Sequence, residues 1–117
     1  MKKILILSYK KYTKHIGYKL FLDNFKEEYK ILFIYASKDI KLDNSNKGKI
    51  NNKITFINVK KINQIIKIVN QYSPELILNY FIEDFSEFYS KIYKIIKNTG
   101  IPTIKIGPSS WQPIPAR

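Results

Sequence analysis

Glu75-Leu-Ile-Leu-Asn79, then Phe85, Phe88, Tyr89, Ile92, Ile95 and Ile96 at helical spacing, then Gly100 and Ile101-Pro-Thr-Ile-Lys-Ile106 form the stretch on which the fold turns. It reads as strand, helix, strand. Two strands joined through a helix must lie parallel, and parallel sheets place ligands at the carboxyl ends of their strands. The helix is well punctuated. Glu83, Asp84 and Glu87 crowd its first turn and Lys94 and Lys97 its last, as the helix macrodipole favours. Gly100 suits a C-terminal cap, with Pro102 just beyond it.

The same rhythm extends toward the amino terminus. Lys53 to Val59 alternates and is β-branched, which suits a third strand near an edge. Ile62, Ile65, Ile66 and Val69 then form a helical stripe that ends near Tyr72-Ser73-Pro74. Lys3 to Ser8 and Lys30 to Ala36 are apolar throughout, as expected of strands covered on both faces. Between them Tyr18, Phe21, Leu22, Phe25 and Tyr29 follow helical spacing, with Lys19, Asp23, Asn24 and Lys26 opposite, and the stripe reads as core packing. Ser37 to Lys53 is polar and turn-rich, so either the crossover there is irregular or the following strand runs antiparallel. These elements predict an α/β, three-layer, Rossmann-like domain over residues 1–117. Its mostly parallel sheet has five strands in the order 3-2-1-4-5.

Composition narrows the function. A chain of 117 residues with 44% hydrophobic residues can bury one core. The absence of cysteine excludes disulfides, thiolate metal sites and cysteine nucleophiles, and fits the cytoplasm. Asp39, Asp43, Asn44 and Asn46 lack calcium-loop spacing, so no metal is expected. The opening Met1-Lys-Lys-Ile-Leu-Ile-Leu-Ser8 is too short in its apolar run for a signal peptide, and no stretch reaches membrane-spanning length. The net charge of +12 suggests nucleic acid, but Arg117 is the only arginine. The richness in Lys, Ile, Asn, Tyr and Phe is what A/T-rich codons produce unselected, so nucleic-acid binding is not the expectation.

In the 3-2-1-4-5 order the chain reverses between strands one and four, and the loops leaving strands one, four and five converge on that crevice. Lys10, Lys11, Lys14 and His15 bring positive charge to the first loop, and Gly17 lets backbone approach a phosphate. The loop lacks G-x-G-x-x-G and the Walker lysine pattern, and no cofactor is called for. A solvated basic loop with Gly17 as a cap accounts equally for those residues. Catalytic candidates are His15, Glu83 and Asp84; the macrodipole explains the two carboxylates without chemistry. Ligand-binding candidates are Lys11, Lys14, His15, Gly17, Asn79, Ser109 and Trp111. Trp111 either stacks on a ligand ring or covers the end of the sheet. Ser109 and Ser110 lack a G-x-S-x-G elbow.

The Met1-Lys-Lys-Ile-Leu-Ile-Leu7 opening, His15-Ile-Gly17, Tyr29-Lys-Ile-Leu-Phe-Ile34, Tyr72-Ser-Pro-Glu-Leu-Ile-Leu78 and Asn98-Thr-Gly-Ile-Pro-Thr-Ile104 together resemble a known pattern. It is that of the N-terminal domain of GT-B glycosyltransferases, including the spore-protein-like and family-4-like groups. The last two segments look like the "P-D-L-I" and "G-I-P-T/V" landmarks, with Glu75 in place of the usual aspartate. The motifs are short, and other Rossmann-like proteins share them. The resemblance implies an acceptor-facing lobe, inactive alone, that is the N-terminal half of a two-domain architecture. The nucleotide-sugar site would belong to a second domain or a partner subunit, and the ligand to the saccharide or nucleotide-sugar class. Ile104-Lys-Ile-Gly-Pro-Ser-Ser-Trp-Gln-Pro113 is also similar to the I-N-I-H-P-S segment of folate-dependent formyltransferases. Lys105 and Gly107 stand where that family carries its reactive asparagine and histidine, so its chemistry is not implied. The reading from residues alone is a Rossmann-like module for a small anionic ligand.

Overall fold

The computed structural model describes residues 2–19, 28–37, 47–80 and 87–105. Its elements are β1 (Lys2–Ser8), α1 (Lys14–Lys19), β2 (Tyr29–Ala36), β3 (Lys47–Lys49), β4 (Ile54–Val59), α2 (Ile62–Tyr72), β5 (Leu76–Tyr80), α3 (Glu87–Thr99) and β6 (Thr103–Lys105). The six strands form one sheet in the order β3-β4-β2-β1-β5-β6. β1 lies parallel to both β2 and β5, β2 to β4, and β5 to β6, while β3 alone runs antiparallel, against β4.

This corrects the expected five-strand sheet ordered 3-2-1-4-5: there are six strands, and the outermost is a short antiparallel one inside the stretch read as loop. Two local devices make it. The Asn51 side-chain carbonyl accepts from the backbone N–H groups of Lys53 (2.8 Å) and Ile54 (2.9 Å), which turns the chain back on itself. Gly48 lies opposite Phe56, and a Cβ there would meet the Phe56 ring at 2.8 Å, so the ring lies across the glycine. The segment Ile54–Val59 runs parallel to its neighbour β2, which closes the alternative that it runs antiparallel.

Alternation along the strands sorts the core onto two faces. Leu5, Leu7, Leu32, Ile34 and Ile77 join Ile65 and Val69 of α2 and Ile92 and Ile96 of α3 in one buried cluster. Ile4, Ile6, Ile31, Phe33, Leu78 and Tyr80 join Ile16 of α1 in the other. Because β1 is central and buried on both faces, its apolar run is continuous rather than alternating. The two-faced arrangement follows from right-handed crossovers. β1-α1-β2 steps one way along the sheet, while β4-α2-β5 and β5-α3-β6 step the other, so their helices take opposite faces.

The first helix also differs from expectation. Thr13 Oγ1 accepts from the Ile16 N–H at 3.1 Å, capping a helix that begins at Lys14 rather than Tyr18. Tyr29, counted in the helical stripe, is the first residue of β2, and Phe21, Leu22 and Phe25 lie outside the described residues. At the other helix ends the sequence signals hold. Ser73 adopts φ 51° and its N–H donates to Val69 O at 2.9 Å, ending α2. Gly100 adopts φ 70° after α3. The Tyr72 hydroxyl donates to Lys30 O at 3.0 Å, tying the end of α2 to the start of β2. Burial pushes this phenol up to about 12.

Candidate functional site

The chain reverses between β1 and β5, and the crevice at their carboxyl ends is the natural ligand position of such a sheet. The exit of β1 is fixed locally. Ser8 Oγ donates to Lys10 O at 2.7 Å and accepts from the Lys10 N–H at 3.0 Å, folding the chain into a tight turn. The Tyr9 N–H donates to Tyr80 O at 3.2 Å, carrying the β1–β5 pairing one residue beyond the strands. The Tyr9 and Tyr80 rings meet with centroids 5.3 Å apart and planes tilted by 51°, and Lys10 Nζ stands 5.4 Å from the Tyr9 centroid. Such tilted aromatic pairs and ammonium–ring contacts are each favourable by about 0.5–1.5 kcal/mol.

Asn79 is the feature that most needs explaining. It lies in β5 opposite Leu7 of β1 and Lys105 of β6, and by alternation on the face of Ile77. The residue is only 4% exposed, and its Oδ1 is buried with no hydrogen-bond partner among the described residues. An orphaned buried acceptor costs on the order of 1–3 kcal/mol, so its presence at the switch point calls for a reason.

The other expected site residues fall as follows. Lys11 is exposed before α1, and Lys14 and His15 are exposed within its first turn, so these two belong to a helix rather than the loop. Gly17 is buried in the same helix with its N–H donating to Thr13 O at 3.0 Å. A Cβ on Gly17 would meet the Tyr12 hydroxyl at 2.5 Å, so the glycine makes room for an aromatic ring. That ring in turn stands edge-on to Phe33 at 5.3 Å and 85°. Glu83, Asp84, Ser109 and Trp111 lie outside the described residues. Of the expected residues, Asn79 lies at the carboxyl end of β5 where the chain reverses, and Tyr9 and Tyr80 meet at the same strand ends. Their signal in the sequence is weak: each follows a polar residue, Ser8 or Asn79, at the end of an apolar strand.

Neither a scan against protein-family models nor a search of curated proteins finds a match for this chain. The local chemistry therefore carries the reading. At the described ends of β1 and β5 lie a buried amide, a buried and a half-buried phenol ring and an exposed ammonium, with no carboxylate or imidazole among them. Among the described residues no group of three or more His, Cys, Asp or Glu could hold a metal ion, and no helix is long and apolar enough to cross a membrane.

Proposed function

We propose that this domain is the acceptor-side lobe of a glycosyltransferase-like protein, holding a saccharide at the carboxyl ends of β1 and β5 and inactive alone. The observation that carries it is the buried, partnerless Asn79 Oδ1 at the switch point. A ligand hydroxyl would satisfy that acceptor, and the half-buried Tyr9 ring at the neighbouring exit of β1, backed by the buried Tyr80 ring, suits the apolar face of a sugar ring. In this reading a second domain or subunit supplies the nucleotide-sugar site and the reactive groups, and the pair works in the cytoplasm. The test is saturation-transfer NMR on the full chain against mono- and disaccharide acceptors and nucleotide sugars. Transfer to an acceptor that Asn79→Leu reduces supports the reading; silence from every sugar defeats it.

A second reading has its own support. Lys10, Lys11 and Lys14 are all exposed at the exit of β1, and among the described residues Lys11 and Lys14 form no ion pair. That cluster suits a small phosphate-bearing ligand. Lys11→Glu with Lys14→Glu is then expected to abolish sugar-phosphate binding while changing stability by less than about 0.5 kcal/mol. Unchanged binding in the double variant removes this alternative.

A further inference from the structure

We propose that the groove between α2 and α3 docks an acidic amphipathic helix of a partner protein. The groove is a concavity of about 230 Å³ lined by Ile66, Val69 and Asn70 of α2 and by Ile95, Asn98 and Thr99 of α3. It lies along the carboxyl-terminal halves of both helices, toward the amino ends of the strands and so away from the Asn79 crevice. Ile66 is 43% exposed there, although Ile65 and Val69 of the same helix are fully buried. Two apolar side chains and a methyl-lined floor thus face water in a cleft rather than on a convex surface. Such a shape accepts the side-chain knobs of a helix laid along it.

Charge decides the kind of helix. Lys67 follows Ile66 on α2, while Lys91 stands one turn before Ile95 and Lys94 immediately before it on α3; all are exposed. α2 contains no acidic residue, and the one in α3, Glu87, opens the helix at the end remote from the groove. The cleft is therefore apolar along its floor and cationic on both rims, which complements leucines flanked by glutamates. A bilayer engages protruding apolar side chains, and these are recessed. Nucleic-acid readers favour arginine, and no arginine occurs among the described residues.

The experiment titrates ¹⁵N-labelled full-length chain with a synthetic peptide of about 15 residues, long enough to hold a helix, bearing leucine at i, i+3, i+4 and i+7 and glutamate between. Shifts are expected at the amides of Ile66, Asn70, Ile95 and Asn98. Ile66→Glu should abolish them, and Lys67→Glu with Lys94→Glu should weaken binding about tenfold, as for close interfacial charge pairs. All three positions are exposed, so the variants should fold, which the unchanged remainder of the spectrum verifies. Unmoved groove amides overturn the proposal, as does equal binding by the scrambled peptide or by its lysine-for-glutamate counterpart. Tighter engagement of the same amides by anionic phospholipid vesicles or single-stranded DNA also overturns it, and names the alternative occupant.

Discussion

Replacing Asn79 by leucine should stabilise the protein while weakening sugar binding. The Asn79 side chain is 4% exposed and carries an Oδ1 with no hydrogen-bond partner among the described residues. A buried acceptor left without a donor costs about 1–3 kcal/mol. Leucine keeps the branched shape and presents methyl groups to a face already occupied by Leu7 and Ile77. It matches the amide in heavy-atom count but is bulkier, and overpacking in a close-packed core takes back at least about 1 kcal/mol. The net expectation is a gain of up to about 2 kcal/mol, or a Tm rise of up to roughly 8 °C for a domain of this size. Urea unfolding followed by circular dichroism should show a raised midpoint with an unchanged slope. Asn79→Asp is the counter-experiment. A carboxylate buried there has its pKa raised above the unfolded value, so its stability is retained at low pH and lost as pH climbs through the carboxylate range. A drop in Tm of more than about 4 °C for Asn79→Leu at constant slope would refute the argument, because it would mean the amide is hydrogen-bonded in solution.

Three further outcomes follow from geometry. Tyr72, pushed up to about 12 by burial, keeps its proton in the folded state while the unfolded state loses it near 10. Stability should therefore fall as pH rises from 10 toward 12, and the advantage of wild type over Tyr72→Phe, about 1 kcal/mol at neutral pH from the bond to Lys30 O, should shrink across that window in urea titrations. Gly17→Ala drives a Cβ into the Tyr12 hydroxyl and should destabilise, yet in a Tyr12→Ala background the same change should stabilise by up to about 1 kcal/mol through helix propensity. Additivity in that double-mutant cycle would contradict the packing role assigned to the glycine. Gly100→Ala meets no atom within 4 Å but must adopt φ 70°, so a loss of about 1 kcal/mol with no local rearrangement is expected by thermal melting and NMR.

Most of the architecture was legible because it rests on local, periodic causes. The short, continuous apolar runs at Lys3–Ser8 and Lys30–Ala36 suit strands buried on both faces, and Gly100 follows α3 in a left-handed conformation that glycine adopts readily. The position of the candidate site, at the carboxyl ends of β1 and β5, follows from strand order, and Asn79 lies at that end of β5. The start of α1 was misplaced because the aromatic stripe from Tyr18 outweighed Thr13, a good capping residue whose bond to Ile16 marks the true first turn.

Pattern along the chain shows which segments are apolar and how often helices alternate with strands, and so a mostly parallel α/β sheet, while the adjacency of β1 to β2 and β5 is a matter of the tertiary structure. Pattern could not disclose β3, since Lys47-Gly-Lys49 has no hydrophobic alternation and exists only because Phe56 lies over Gly48 and Asn51 turns the chain. Nor could it separate a glycine that admits phosphate from one that admits the ring of Tyr12, or show that Asn79 is buried with its acceptor unanswered. Those outcomes depend on which side chains meet across residues distant in sequence. Periodicity reports which face a residue takes, whereas contact and hydrogen-bond completion are fixed only when the faces are packed together.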